Sequence, residues 1–335
     1  MKRIISLLLA LALSLSLAAC AAPAEKADGG KLQIVTTLFP YYDFARAIAQ
    51  DRADVTLLLS PGREAHSFEP TPLDAVTISE ADVFLYNGGE GEYWVESMLD
   101  AAGEHIAVAS RMMDYVDALN EEYVEGMQGA DGHDHDHEHG SHDDHDHDHE
   151  EDEHDSDEIE YDEHIWTSPK NAVVLCRAVC DAICRADAEN AAFYRANCEN
   201  YCAQLEDLDA RFAALCESAP RRLLIFADRF PMLYFCREYG LDYRAAFHGC
   251  SGDTEPSLAT IKFLIDKVED ENIPVVYTID FGTKKVAAVV SECTGAAIET
   301  LYSMQTVSRA DFDAGETYLT LMERNFEALR KGLNE

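Results

Sequence analysis

Residues 133–154 read HDHDHEHGSHDDHDHDHEEDEH, and nearly every side chain in that run is an imidazole or a carboxylate. Imidazole is the commonest protein ligand for zinc and related ions, and carboxylates ligate the same ions. His133, His135, His137, His139, His142, His145, His147, His149 and His154 therefore form a candidate accessory metal-collecting tract. The run has no Lys or Arg to compete with a cation and no apolar residue to fold it. It is expected to be disordered across 129–160, with weak and numerous sites, because ordering such a segment around one ion costs conformational entropy. Neighbouring carboxylates should raise its imidazole pKa values, so capture should weaken as pH falls through their titration.

Composition narrows the partners. The formal net charge is −38, and 131–163 alone carries eighteen Asp or Glu with no Lys or Arg. Such a chain repels nucleic acid and anionic membrane surfaces and attracts cations. Lys2 and Arg3, an apolar stretch over 4–17 and the small-residue site Leu17-Ala18-Ala19-Cys20 read as a signal peptide over 1–19. The Cys20 context resembles a bacterial lipobox, which implies a lipid anchor on Cys20, a tether over 20–31 and placement on the extracytoplasmic face of the cell membrane. Cys176, Cys180 and Cys184 recur every fourth residue, as do Cys198 and Cys202, so each group shares one helix face and is poorly placed for local disulfides. These cysteines read either as small core residues or as a thiolate metal site.

The elements that would position this chemistry follow a β-α-β-α rhythm. Strands are expected at 32–37, 54–59, 82–86 and 106–108, with helices at 41–49, 71–80 and 93–102 between them. Helical spacing resumes at 171–186 and again from 188 to about 217, long enough for a strut between two lobes. A second set of strands is expected at 222–227, 242–247, 274–279 and 297–301, interleaved with helices at 231–239, 254–269 and 285–294 and closed by one at 317–332. The predicted fold class is α/β: two doubly wound lobes joined by a long backbone helix. The division is 32–187 for the first lobe with the acidic tract inside it, 188–218 for the linking helix, and 219–335 for the second lobe.

Several segments carry a family resemblance. Pro61-Gly62-Arg63-Glu64-Ala65-His66-Ser67-Phe68-Glu69-Pro70, Asp82-Val83-Phe84-Leu85-Tyr86-Asn87-Gly88, Asp162-Glu163-His164-Ile165-Trp166-Thr167-Ser168-Pro169, and the segment from Thr317-Tyr318-Leu319 to Asn325 together resemble the zinc-binding solute-binding proteins of ABC transporters. The acidic His-rich run just before His164 resembles the zinc members of that group. The resemblance spans about 32–333. It implies a monomeric, non-enzymatic protein that captures zinc outside the membrane and hands it to an ABC permease. It also implies His66 and His164 as metal ligands at a cleft.

The second lobe departs from the pattern. Where many members have His or Glu, this chain reads Ile225-Phe226-Ala227-Asp228-Arg229-Phe230-Pro231. Asp228 is the expected replacement ligand and Asp280, after Tyr277-Thr278-Ile279, the next candidate. Arg229 cannot ligate, being always protonated, but it can hold a carboxylate for the metal. His248, in His248-Gly249-Cys250-Ser251-Gly252, is a further possible contributor or part of a turn. His105 is expected to be exposed, and Trp94 and Trp166 to form core or cleft wall. Manganese or iron in the same fold, or a surface metal store or adhesin without a transporter, are the alternative readings. A metal-dependent hydrolase needs a general base beside an open metal position, and no HExxH or paired-carboxylate motif supplies one.

Overall fold

A computed structural model describes residues 30–63, 68–103, 106–128, 160–251 and 255–334. Cys20, His66, His105 and the nine tract histidines lie outside the described residues.

The first lobe holds a four-stranded parallel sheet of β1 (Leu32–Thr36), β2 (Ala53–Leu57), β3 (Val83–Tyr86) and β4 (Val108–Arg111), in the order β2-β1-β3-β4. Its helices are α1 (Phe39–Ala49), α2 (Pro72–Ser79) and α3 (Trp94–Ala102). Pro40 in the first turn of α1 is pre-organised for a helix start, and the helix then buries Tyr41, Phe44 and Ile48 on one face. A reciprocal capping box between Thr71 and Asp74 opens α2.

Two long helices follow. Ser168 caps α4 (Pro169–Ala186) by accepting from the Asn171 amide. The 28-residue α5 (Ala191–Ser218) is about 42 Å long at 1.5 Å per residue. Its buried stripe, Tyr194, Cys198, Tyr201, Leu205, Leu208, Phe212 and Leu215, alternates steps of three and four, which keeps one seam facing inward for the whole length. The first half of that seam lies on α1 and α4, and the second half on the other lobe.

The second lobe repeats the plan with β5 (Leu223–Phe230), β6 (Asp242–His248), β7 (Val275–Ile279) and β8 (Ala297–Leu301), all parallel in the order β6-β5-β7-β8. Around it lie α6 (Leu233–Tyr239), α7 (Leu258–Asp270), α8 (Lys285–Thr294), the short α9 (Arg309–Ala314) and α10 (Tyr318–Asn334). The expected class, two doubly wound α/β lobes with a long helix between them, is the fold found. Two details differ from the expectation. β5 runs on to Phe230 and takes Asp228 and Arg229 into the strand, and α9 fills a stretch read as connection.

One contiguous apolar core passes through both lobes, from Ile34 and Phe44 through Tyr201 and Phe212 to Leu301 and Leu329. Phe212 is packed by the rings of Phe235, Tyr239 and Phe326. Asp43 is buried at the junction, where its Oδ2 accepts from the Tyr201 hydroxyl at 2.6 Å and from the Tyr318 amide at 2.9 Å. That one carboxylate ties α1, α5 and α10 together.

Candidate metal centre

The carboxyl ends of the second lobe's strands face a small crevice against the first lobe. His164 enters it from the first lobe, and Arg229, Pro231, Gly249, Ile279, Asp280, Phe281, Ser303, Gln305 and Thr306 line the rest. Ligand sites of open α/β sheets fall at such strand ends, where loops on a rigid frame can aim polar groups.

His164 stands just before a one-turn helix, Ile165–Thr167, that leads into α4. Its side chain is only 2% exposed. Asp162 Oδ1 accepts from the His164 amide at 2.7 Å and lies 3.0 Å from the ring Nδ1. That contact places the ring proton on Nδ1 and leaves Nε2 as the lone-pair nitrogen. Burial alone would lower the imidazole pKa. The Asp162 carboxylate outweighs it by charge and hydrogen bond, with Glu121 and Glu163 adding to it, and the pKa is raised. Asp162 Oδ2 is buried with no hydrogen-bond partner among the described residues. The Trp166 ring meets the imidazole edge-on at 5.6 Å, and its Nε1 donates to the Ser303 carbonyl at 2.7 Å, so Trp166 is core behind His164 and fastens the lobes together.

The second-lobe carboxylates separate. Asp280 shares the crevice with His164, and its Oδ1 accepts from the Ser303 amide at 3.2 Å. Asp228, the first choice from sequence, is not among the crevice-lining residues. Its Oδ1 accepts from the Arg229 amide at 2.9 Å and its Oδ2 faces the Ile279 amide at 3.4 Å. The cause is an irregularity in β5: the pairing with β6 slips between Phe226 and Arg229, so three steps on β5 match two on β6. A bulge re-aims the side chains that follow it. Arg229 rather than Asp228 then lines the crevice, beside Asp280, while Asp228 braces the end of β7 that carries Asp280.

His248 adjoins the centre through Glu121. Its Nδ1 lies 3.7 Å from Glu121 Oε1, which also accepts from the Cys250 amide at 3.0 Å. Burial pushes the Glu121 carboxyl up, but the neighbouring His248, the Cys250 amide bond and the charge of His164 hold it down at about 2. Gly249 between them is needed for close approach: a Cβ there would sit 2.9 Å from the Phe230 carbonyl and 3.1 Å from His164 Nδ1.

Sequence reasoning missed Asp162, Glu121 and Gly249 as parts of this centre. Asp162 had a signal, standing two residues before His164. Glu121 had none. It arrives through an antiparallel pairing of Asn120 with Tyr161, flanked by the Glu121 amide to Glu160 carbonyl bond at 2.9 Å and the Asp162 amide to Leu119 carbonyl bond at 2.9 Å. The segment that leads toward the acidic tract and the segment that follows it thus pair beside His164.

A family model described as "Zinc-uptake complex component A periplasmic" matches residues 34–332. The chain belongs to this zinc-uptake family. Among its ZnuA-type relatives, the high-affinity zinc uptake system protein ZnuA of Bacillus subtilis is 31% identical over 308 residues, covering 91% of this chain and 88% of that protein. The zinc-binding lipoprotein AdcA of Streptococcus pneumoniae is 30% identical over 334 residues, and the match covers 99% of this chain but 61% of that longer protein. In structure, the chain resembles the Zn(II)-bound ZnuA-like domain of the same AdcA with a TM-score of 0.71 and 26% identity, covering 91% of this chain and 100% of the domain. The metal-dependent lipoprotein YcdH of Bacillus subtilis gives a TM-score of 0.72 at 29% identity, over 90% of this chain and 100% of that one.

Proposed function

We propose that this chain captures zinc in the crevice between its lobes and delivers it to an ABC permease. As a ZnuA-family member it is a solute-binding component of zinc uptake, and it has no catalytic role in this reading. The observation that carries the site is the buried pair of His164 and Asp162, which presents one imidazole nitrogen to a crevice shared with Asp280. The proposed ligands are His164, Asp280 and His66, a set of nitrogen and oxygen donors suited to a tetrahedral zinc ion. Phe68, two residues beyond His66, packs on Trp94 at 5.4 Å in a neighbouring cavity that shares Gln305 with the crevice, which supports His66 reaching the same place. Asp228 and Arg229 act as supports for Asp280 rather than as ligands. Cys20 carries the lipid anchor that keeps the protein, as a monomer, at the extracytoplasmic face. Among the described residues no helix is long and apolar enough to cross the membrane. The nine tract histidines hold metal near the crevice.

Zinc affinity measured by competition with a chelator tests this on three proteins: the intact chain, a chain lacking 129–159, and His164→Ala. The expected outcome is that the deletion keeps the tight site while His164→Ala weakens it by about a hundredfold or more. Loss of all tight binding on deletion would overturn the crevice as the site.

A further inference from the structure

The fold brings five of the six cysteines of α4 and α5 together, and the crevice does not use them. Cys176 and Cys180 project from α4 and Cys198 and Cys202 from α5, each pair one helical turn apart on facing surfaces. The sulfurs of Cys176, Cys198 and Cys202 all lie within 4.8 Å of one another. Cys198 and Cys202 are 3.8 Å apart, sulfur to sulfur, and Cys180 and Cys184 are 3.9 Å apart. The first three residues are 0%, 3% and 1% exposed, and all are free thiols.

We propose that Cys176, Cys198 and Cys202 form a second metal site that holds a thiophilic d10 cation of the zinc or Cu(I) class and pins α4 to α5. Metal–sulfur bonds of about 2.3 Å require sulfurs roughly 3.8–4.0 Å apart in tetrahedral or trigonal geometry; Cys198 and Cys202 already have that spacing, and Cys176 lies within 4.8 Å of both. Purely sulfur donors select soft cations, whereas the crevice offers nitrogen and oxygen, so the two sites are chemically sorted. Cys180 stands one turn beyond Cys176 on the same helix, with its sulfur against Cys184. The Cys198 Sγ donates to the Cys176 carbonyl at 3.8 Å, and the Arg177 guanidinium lies close enough to draw charge onto Cys198 and Cys202. As the ion binds, each ligating thiol gives its proton to solvent and its electron pair to the metal; nothing is oxidised. A closed, buried, all-sulfur site is structural rather than exchanging. Its place in the fold fits that role, because α4 begins five residues after His164 and carries the turn that aims it.

The test uses Co(II) as an optical probe, added during anaerobic refolding of the full chain with reductant. Thiolate-to-cobalt charge transfer is absent from nitrogen and oxygen sites, so neither the crevice nor the histidine tract contributes to the signal. The expected result is a thiolate band saturating at one equivalent, lost in Cys198→Ala and in Cys176→Ala and kept in Cys293→Ser, whose thiol is exposed and remote. Alanine leaves no buried hydroxyl, and retained zinc binding at the crevice shows that each variant is folded. No band, a band unchanged in Cys198→Ala, or thiols of the parent already paired as disulfides by mass spectrometry after alkylation would each overturn the proposal.

Discussion

At the scale of single residues, the chemistry turns on Asp162. It holds the His164 ring by hydrogen bond and charge, and it raises the imidazole pKa against the pull of burial. Zinc must displace a proton from that ring, so affinity should fall as pH drops through a value above the ordinary imidazole range. Asp162→Asn removes the charge and leaves burial dominant. Its zinc affinity should drop about 10- to 100-fold at neutral pH, and the acid fall-off should move to lower pH; titrations across pH with a competing chelator read both. The metal-free protein should show the opposite dependence. A raised folded pKa contributes stability that is complete below the unfolded imidazole value and is lost as pH rises through the folded one. Thermal melts without zinc should therefore show the His164 contribution shrinking with rising pH, while the increment from added zinc grows.

At the scale of elements, β5 decides which carboxylate lines the crevice. Its slip between Phe226 and Arg229 turns Asp228 toward the Ile279 amide and leaves Asp280 in the crevice. Asp280→Ala should weaken zinc about a hundredfold. Asp228→Ala should weaken it far less and instead lower the melting temperature, as calorimetry and zinc competition on the two variants will show. Gly249→Ala should cost affinity without removing a ligand, because its Cβ crowds both the Phe230 carbonyl and the His164 imidazole. The alternation of strand and helix patterns made both sheets and the long helix readable from the chain, since period and turn residues are local properties. The bulge was not readable: it is a mismatch between two strands, and nothing within Ala227-Asp228-Arg229 announces it. Glu121 was hidden for the same reason, being brought to His164 by a pairing across the acidic insertion.

At the scale of the whole molecule, the lobes are not free to swing. The core is continuous through α5, Phe212 is enclosed by rings from α6 and α10, and Asp43 bonds to residues from α5 and α10. Zinc loading should change the radius of gyration by less than about 1 Å in solution scattering, with the movement confined to loops. Phe212→Ala should cost about 3–5 kcal/mol and lower the stability of both lobes in one shared denaturation transition. Two separate transitions would show that the lobes are independent units.

The pairing of Asn120 with Tyr161 has a consequence for how such a chain can evolve. A connection whose ends are pinned side by side imposes only a logarithmic closure entropy, so doubling its length costs about 0.6 kcal/mol. The fold therefore tolerates this insertion as a graft. Its length and histidine content can drift from one descendant to the next under selection by metal supply alone, while the residues on either side of the seam keep His164 in place.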